Sequence, residues 1–350
     1  MKFLRYLLIP FTICYIGITS FRNWLYKTRI KRSLKFNLPI INIGNLSVGG
    51  TGKTPHIELL IKLFIGSNSI STLSRGYGRK KYGFILADLN STALDIGDEP
   101  LQFKRKFKNK IDVAVDVNRV NGVSELCLKL PDLDLILLDD AYQHRAIKPG
   151  FNILLTDYSS PYYSDFVLPV GNLRELRKGA DRADVIIVSK CPNFDNIDKK
   201  SIQNKINPKH HQSLFYSKII YDDLLPLTKF NKLDNLNEEI ILVTGIAKSL
   251  LLYSYLSKSF KIIKHFKFPD HYQFKEKDIE EIHKLLTTFG KASPRIVTTE
   301  KDAMRLLSSE FNDLLKDKPW FYQTISIEID KPKEFNEILK EYVQKNSRDY

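Results

Sequence analysis

Eight residues, Ser47-Val48-Gly49-Gly50-Thr51-Gly52-Lys53-Thr54, restrict this chain more than any other stretch. They lie between an apolar strand-like run, Leu38 to Ile43, and a helical run, His56 to Phe64. A glycine-rich turn from strand to helix directs successive backbone N–H groups inward, and the helix N-terminus adds positive partial charge. Lys53 then reaches the β/γ-phosphates, and the Thr54 hydroxyl ligates Mg²⁺. Ser47 takes the first position of the G-x-x-x-x-G-K-[ST] pattern, where a small residue still permits the tight turn. Pro55 suits the first helical turn, where a missing N–H costs little. A merely flexible turn would need neither the closing Lys-Thr nor this strand–loop–helix context. The chain is therefore expected to bind a nucleoside triphosphate through Ser47 to Thr54.

A length of 350 residues favours two domains, or one core with a large appendage. Cys14, Cys127 and Cys191 have no C-x-x-C spacing and no clustered histidines around them. A disulfide scaffold and a structural zinc site are thus disfavoured. The formal charge of +14 is unevenly placed. Residues 1–35 hold eight Lys/Arg and no acid, so the remainder carries only +6.

That N-terminal region includes sixteen residues without a charge, Tyr6 to Phe21. Lys2 and Arg5 flank it on one side; Arg22, Lys27, Arg29, Lys31 and Arg32 flank it on the other. A spanning helix needs about 20 apolar residues, and this run is shorter and contains Pro10. Thr12, Thr19 and Asn23 form one polar stripe on a helix, while Trp24 and Tyr26 suit the headgroup level. A helix lying on an anionic cytoplasmic leaflet is favoured over a single span or a buried core helix. No small-x-small cleavage site follows, which argues against a signal peptide.

Downstream, apolar strand candidates recur at Ser69–Ser74, Phe84–Ala87, Ile111–Val115, Leu133–Leu138, Phe151–Thr156 and Asp184–Ser189, with helical patterns between several of them. This alternation reads as a mostly parallel sheet covered on both faces. A polar stretch, Asn193–Gln212, interrupts it, and the runs Leu214–Tyr221 and Leu224–Leu227 read as a connector. A second α/β series follows from Glu239 to Ile329. The expected organisation is a membrane-surface helix (1–30), a P-loop domain (31–212), a two-stranded linker (213–228) and a smaller α/β domain (229–350).

Leu133 to Leu138 ends in Asp139-Asp140, 86 residues after Lys53. A P-loop enzyme needs a carboxylate at a strand end beside the loop to hold Mg²⁺, although Asp-rich turns also end strands without any such role. Asp98 in Gly97-Asp98-Glu99-Pro100 is either a helix N-cap or a base or metal-proximal carboxylate at a helix start, and Glu99 beside it is a candidate metal ligand. Arg75, Tyr77 and Arg79 follow a strand; guanidinium groups recognise phosphate, yet a basic surface turn would look the same. A lone His271 is by default a packed residue. Thr299-Glu300-Lys301-Asp302 joins a strand to a helix, and its Lys is misplaced for a guanine-reading N-K-x-D motif.

In this order, Gly44 to Pro55, Ser74 to Arg79, Gly97 to Pro100, Asp139 to Arg145, Gly171 to Glu175, Phe268 to Tyr272 and Thr299 to Asp302 closely resemble the tetraacyldisaccharide 4′-kinase family of lipid A biosynthesis. The resemblance implies transfer of the ATP γ-phosphoryl group to the 4′-hydroxyl of a lipid A disaccharide 1-phosphate precursor at the inner membrane. It implies that Asp98 and His271 act together on that hydroxyl, while Asp139 and Asp140 serve the metal and the transition state. Arg174 and Glu175 would line the site with Asn172, Arg75, Tyr77 and Arg79, and Thr299, Lys301 and Asp302 would approach the nucleoside. ATP and Mg²⁺ are the expected cofactors; no nucleic acid and no obligate protein partner are expected. The alternative reading is a membrane-recruited ATPase switch of the partitioning type, which usually carries a second Lys where this chain has Val48.

Overall fold

The computed structural model describes residues 7–228, 236–289, 293–307 and 311–347; Lys2 and Arg5 lie outside them. The strands are β1 (Ile40–Asn45), β2 (Ile70–Ser74), β3 (Ile85–Leu86), β4 (Asp112–Val115), β5 (Leu135–Asp139) and β6 (Phe151–Asp157). Then come β7 (Val185–Ser189), β8 (Ser213–Pro226), β9 (Leu236–Thr244), β10 (Lys261–Lys267), β11 (Ser293–Thr299) and β12 (Trp320–Ile329). They form one mixed sheet in the order β10-β9-β11-β12-β8-β7-β6-β1-β5-β2-β4-β3. The β3–β4 and β12–β8 pairs are antiparallel and the others parallel.

Strands β1, β2, β5 and β7 are buried along their whole length. That is why they read as unbroken apolar runs rather than alternating ones. The helix Lys53–Phe64 buries Ile57, Leu60, Ile61 and Phe64 against Ile41 and Ile43 on one face. Val123 and Leu126 of the helix Arg119–Lys129 cover Ile136 and Leu138 on the other.

The two runs at Leu214–Tyr221 and Leu224–Leu227 are a single long strand, not two. Asp222 and Asp223 between them form an irregularity opposite Gln323–Ile325, where the register with β12 shifts. A bulge of this kind continues a strand instead of reversing it. β8 runs parallel to β7 at its start and antiparallel to β12 along its length, so it joins the two halves of the sheet. The polar stretch Asn193–Gln212 also contains a helix, Lys199–Ile206, capped by Asp198 accepting from Ser201 N at 2.9 Å. Ile202 and Ile206, one turn apart, are its buried anchors.

The N-terminal helix Ile9–Lys27 turns its polar stripe inward. Thr12 and Thr19 are buried, Thr12 Oγ1 accepts from Val170 N at 3.2 Å, and Asn23 Nδ2 donates to Glu175 at 2.9 Å. Phe11, Ile13, Ile18, Phe21 and Trp24 are exposed on the other side. Among the described residues, no helix is long and apolar enough to cross a membrane.

Candidate active site at the strand ends

β1 lies between β5 and β6, so the loop after β1 emerges at the carboxyl ends of three parallel strands, where open α/β sheets place their ligands. Gly49 and Gly52 adopt left-handed φ values of 108° and 88°, which only glycine adopts readily. The loop is held from outside. Val48 N donates to Asn172 O at 2.8 Å and Arg174 N to Leu46 O at 2.7 Å, so Leu173 forms an isolated antiparallel bridge to Ser47. Lys190 Nζ donates to Gly50 O, Ser189 Oγ to Thr51 O at 2.8 Å, and His56 Nδ1 to Gly52 O at 2.6 Å. With three successive carbonyls held by the chain, the N–H groups of Gly49 to Lys53 would face a bound phosphate.

The β1–β5 register sets Ile43 opposite Asp139, which brings both carboxylates beside the loop. Asp140, at φ 51°, accepts two hydrogen bonds from Arg174 Nη1, at 2.9 and 3.0 Å. Lys53 Nζ stands 3.7 Å from its Oδ2. Burial opposes ionisation of Asp140, but Lys53 and Arg174 hold its pKa below the ordinary carboxylate value. Asp139 is different: it is 1% exposed and its Oδ1 has no hydrogen-bond partner. Burial, then the charge of Glu99, raises its pKa to about 8 despite Lys53 and Arg119. A buried, unpartnered carboxylate oxygen under such pressure is suited to a cation. Among the described residues no three His, Cys, Asp or Glu side chains could enclose one, so phosphate oxygens and water would complete the shell, as Mg²⁺ prefers.

The second constellation joins the two halves of the sheet. Gly97, not Asp98, is the N-cap of the helix Asp98–Phe107, and the Asp98 carboxylate turns away to His271 and Arg305. His271 Nδ1 lies 3.3 Å from Asp98 Oδ2, and His271 Nε2 lies 3.1 Å from Lys301 Nζ. Because an ammonium only donates, Nε2 accepts and Nδ1 carries the proton toward Asp98. Burial works against the Asp98 charge, yet His271 and Arg305 together lower its pKa. Glu99 accepts from Lys301 at 3.3 Å, and the exposed Tyr77 ring sits 4.9 Å from His271.

Other expected site residues are placed less directly. Arg75 is exposed beside the turn. Arg79 folds back to donate to Gly83 O at 2.8 Å. Asn172 is tied to Asp165 at 3.0 Å. Glu175 is 1% exposed and taken up by Arg182, Gln143 and Asn23, so it faces the N-terminal helix from inside. Asp302 is wholly buried, bound by Gly245 N at 2.9 Å and Thr299 Oγ1 at 2.7 Å, and Lys301 serves His271. Residues that motif reading passed over include Arg119, whose Nη2 reaches Asp139 O at 3.4 Å, Lys190 and Arg305.

A family profile described as tetraacyldisaccharide-1-P 4′-kinase matches residues 4–344. The chain belongs to the tetraacyldisaccharide 4′-kinase family. It is 43% identical over 350 residues to the Tetraacyldisaccharide 4′-kinase of Flavobacterium johnsoniae, covering 99% of both chains. It is 42% identical to that of Parabacteroides distasonis, covering 96% of this chain and 94% of the other. Among solved structures it is similar to LpxK from Aquifex aeolicus in complex with ATP, with a TM-score of 0.76 and 26% identity over 97% of this chain and 99% of that one. Members of this 4′-kinase family are phosphotransferases.

Proposed function

We propose that this chain transfers the γ-phosphoryl group of ATP to the 4′-hydroxyl of a lipid A disaccharide 1-phosphate precursor, at the cytoplasmic face of the inner membrane. The observation that carries the chemistry is the strand-end carboxylate pair beside the phosphate loop: Lys53 Nζ stands 3.7 Å from Asp140 Oδ2, and Asp139 Oδ1 is buried without a partner. Lys301, 3.3 Å from Glu99 and 3.1 Å from His271 Nε2, ties Glu99 to the Asp98–His271 pair.

In this reading Ser47 to Thr54 cradle the phosphates, and Lys53 and Arg174 neutralise charge on the transferred group. Thr54 and Asp139 would hold Mg²⁺, with Glu99 and Asp140 nearby; when bound, the ion supplies further neutralisation of the phosphate oxygens. The Asp98–His271 pair accepts the hydroxyl proton as the bond from that oxygen to phosphorus forms and the bond to ADP breaks. Tyr77, Arg75 and Arg174 stand on the acceptor side. The exposed Phe11, Ile13, Ile18, Phe21 and Trp24 suit a helix lying in a lipid surface.

Incubating the protein with ATP, Mg²⁺ and a monophosphorylated lipid A precursor should yield a product heavier by one phosphate. Absence of that product with folded protein would overturn the reading. Deleting residues 1–26 should release the protein from anionic vesicles and raise KM for lipid more than KM for ATP. Vesicle binding that persists in the truncated protein would place the anchor elsewhere.

A further inference from the structure

Arg305 is 3% exposed on the helix Glu300–Leu306 of the C-terminal half, and nothing in the reading above uses it. Its Nη1 donates to Asp98 Oδ2, the same oxygen that faces His271 Nδ1. Its Nη2 donates to Asp302 Oδ1 and to Gly245 O at 3.1 Å. Gly245 O also accepts the backbone N–H of His271 at 3.1 Å, where the chain is left-handed at φ 58°. One guanidinium therefore touches the carboxylate of the pair and the carbonyl that fixes the backbone of its histidine.

We propose that Arg305 is the positioning residue of the Asp98–His271 pair, setting carboxylate and imidazole against each other across the junction between the two halves of the sheet. The inference rests on the reading of that pair as the proton acceptor. Geometry favours Arg over Lys at this point: the planar fork reaches in two directions at once, whereas an ammonium is a single point charge on a flexible stem. The fork is itself fixed from behind by Asp302, whose carboxylate holds Gly245 N and Thr299 Oγ1. Gly245 leaves no slack. A Cβ there would stand 2.9 Å from Asp302 Oδ1 and 3.3 Å from Arg305 Nη2, so adding one methyl disturbs the fork without removing a charge.

The competing role is a plain buried ion pair that only joins the two halves; such pairs are weak evidence of anything else. That role would be read in Tm, leaving the kcat of the folded protein unchanged. The experiment compares kcat, KM for ATP and Tm in Arg305→Lys and Gly245→Ala, each with Asp98 intact and with Asp98→Asn. With Asp98 intact, each should lose on the order of 10-fold or more in kcat, because small misplacements of reacting groups are costly. KM for ATP should stay within about 2-fold, since an interaction made only in the transition state leaves ground-state binding alone. In the Asp98→Asn background the same changes should cost little further, as expected for residues acting as one unit. Full kcat in Arg305→Lys, or the same fold-loss in both backgrounds, would overturn the positioning role. Full rate in Asp98→Asn alone would instead overturn the proton-acceptor reading beneath it. Should Arg305→Lys fail to fold, Gly245→Ala decides by the same criterion.

Discussion

The corner proposed to hold the phosphates and the corner proposed to accept the proton are built in opposite ways. Around the phosphate loop, segments 45–54, 139–140, 172–174 and 189–190 all come from the N-terminal half, and much of what joins them is backbone hydrogen bonding. Around Asp98 the contacts are between side chains of the two halves: His271 and Arg305 meet a carboxylate that the first half supplies, and Lys301 joins His271 to Glu99. The first corner exists wherever its half of the sheet folds. The second exists only where the two halves meet. Nucleotide binding should therefore survive damage that abolishes transfer.

The largest expected effect breaks the first corner. Lys53→Ala should cost on the order of 10²-fold or more in kcat, because its charge acts where water is excluded. Near-normal turnover by a folded Lys53→Ala protein would remove the phosphate-loop assignment.

Next in size comes the second corner. Asp98→Ala and His271→Ala should each lower kcat substantially while ATP affinity changes little, and the double variant should be scarcely worse than the poorer single. Residues that act as a unit are strongly non-additive. Additive losses in a double-mutant cycle would mean that the two never worked together.

A third change tests what joins the corners. Lys106 Nζ bridges Glu58 at 2.7 Å, on the phosphate-loop helix, and Glu300 at 3.0 Å, in the C-terminal half. Burial, then Glu58, raises the Glu300 pKa to about 7 even with Lys106 present. Lys106→Met would take the cation from two buried carboxylates, leaving Glu58 only its hydrogen bond from Gln102 Nε2 at 2.8 Å, and losing one partner of a buried pair costs about 3 kcal/mol. Chemical denaturation should register that loss, with ATP affinity little altered. An unchanged unfolding midpoint would show that the bridge carries no weight.

The contrast between the corners also explains what could be read from sequence. The meeting of Ser47–Thr54 with Asp139-Asp140 was legible because each segment is contiguous in the chain and sits at the end of an apolar run. The stripe of Thr12, Thr19 and Asn23 was legible as periodicity, and it is the face that docks on the protein. Arg305 was not legible. Its partners Asp98 and Gly245 are 207 and 60 residues away, and a helical arginine three residues after Asp302 looks like an ordinary surface ion pair. Lys190 and Arg119 were hidden for the same reason: only the sheet order brings them to the loop. Ile202 and Ile206 carried a helical spacing, but the polar residues around them masked it.

The smallest expected effect is a pH dependence confined to the phosphate corner. His56 is buried between Gly52 O, at 2.6 Å, and Ser217 Oγ, at 2.9 Å. Burial, opposed by the Gly52 hydrogen bond, lowers its pKa from 6.5 to about 4. Between those values the unfolded chain holds a proton on His56 that the folded protein does not, so stability rises with pH across the window. On acidification from pH 6.5 to 5 this histidine alone should cost about 1.5 kcal/mol, the slope rising from half to nearly all of about 1.4 kcal/mol per pH unit. His56→Gln, neutral throughout, should lack that slope. The readout is therefore the difference in Tm between the native and variant proteins, followed over that range. His283, also lowered to about 4 by burial, titrates in both proteins and cancels. The difference should shift against the native protein as pH falls, while the Asp98–His271 corner, having no contact with His56, keeps the same kcat/KM profile in both. A constant difference in Tm would mean that His56 is not held neutral, and that the loop is less rigidly seated on β8 than its hydrogen bonds imply.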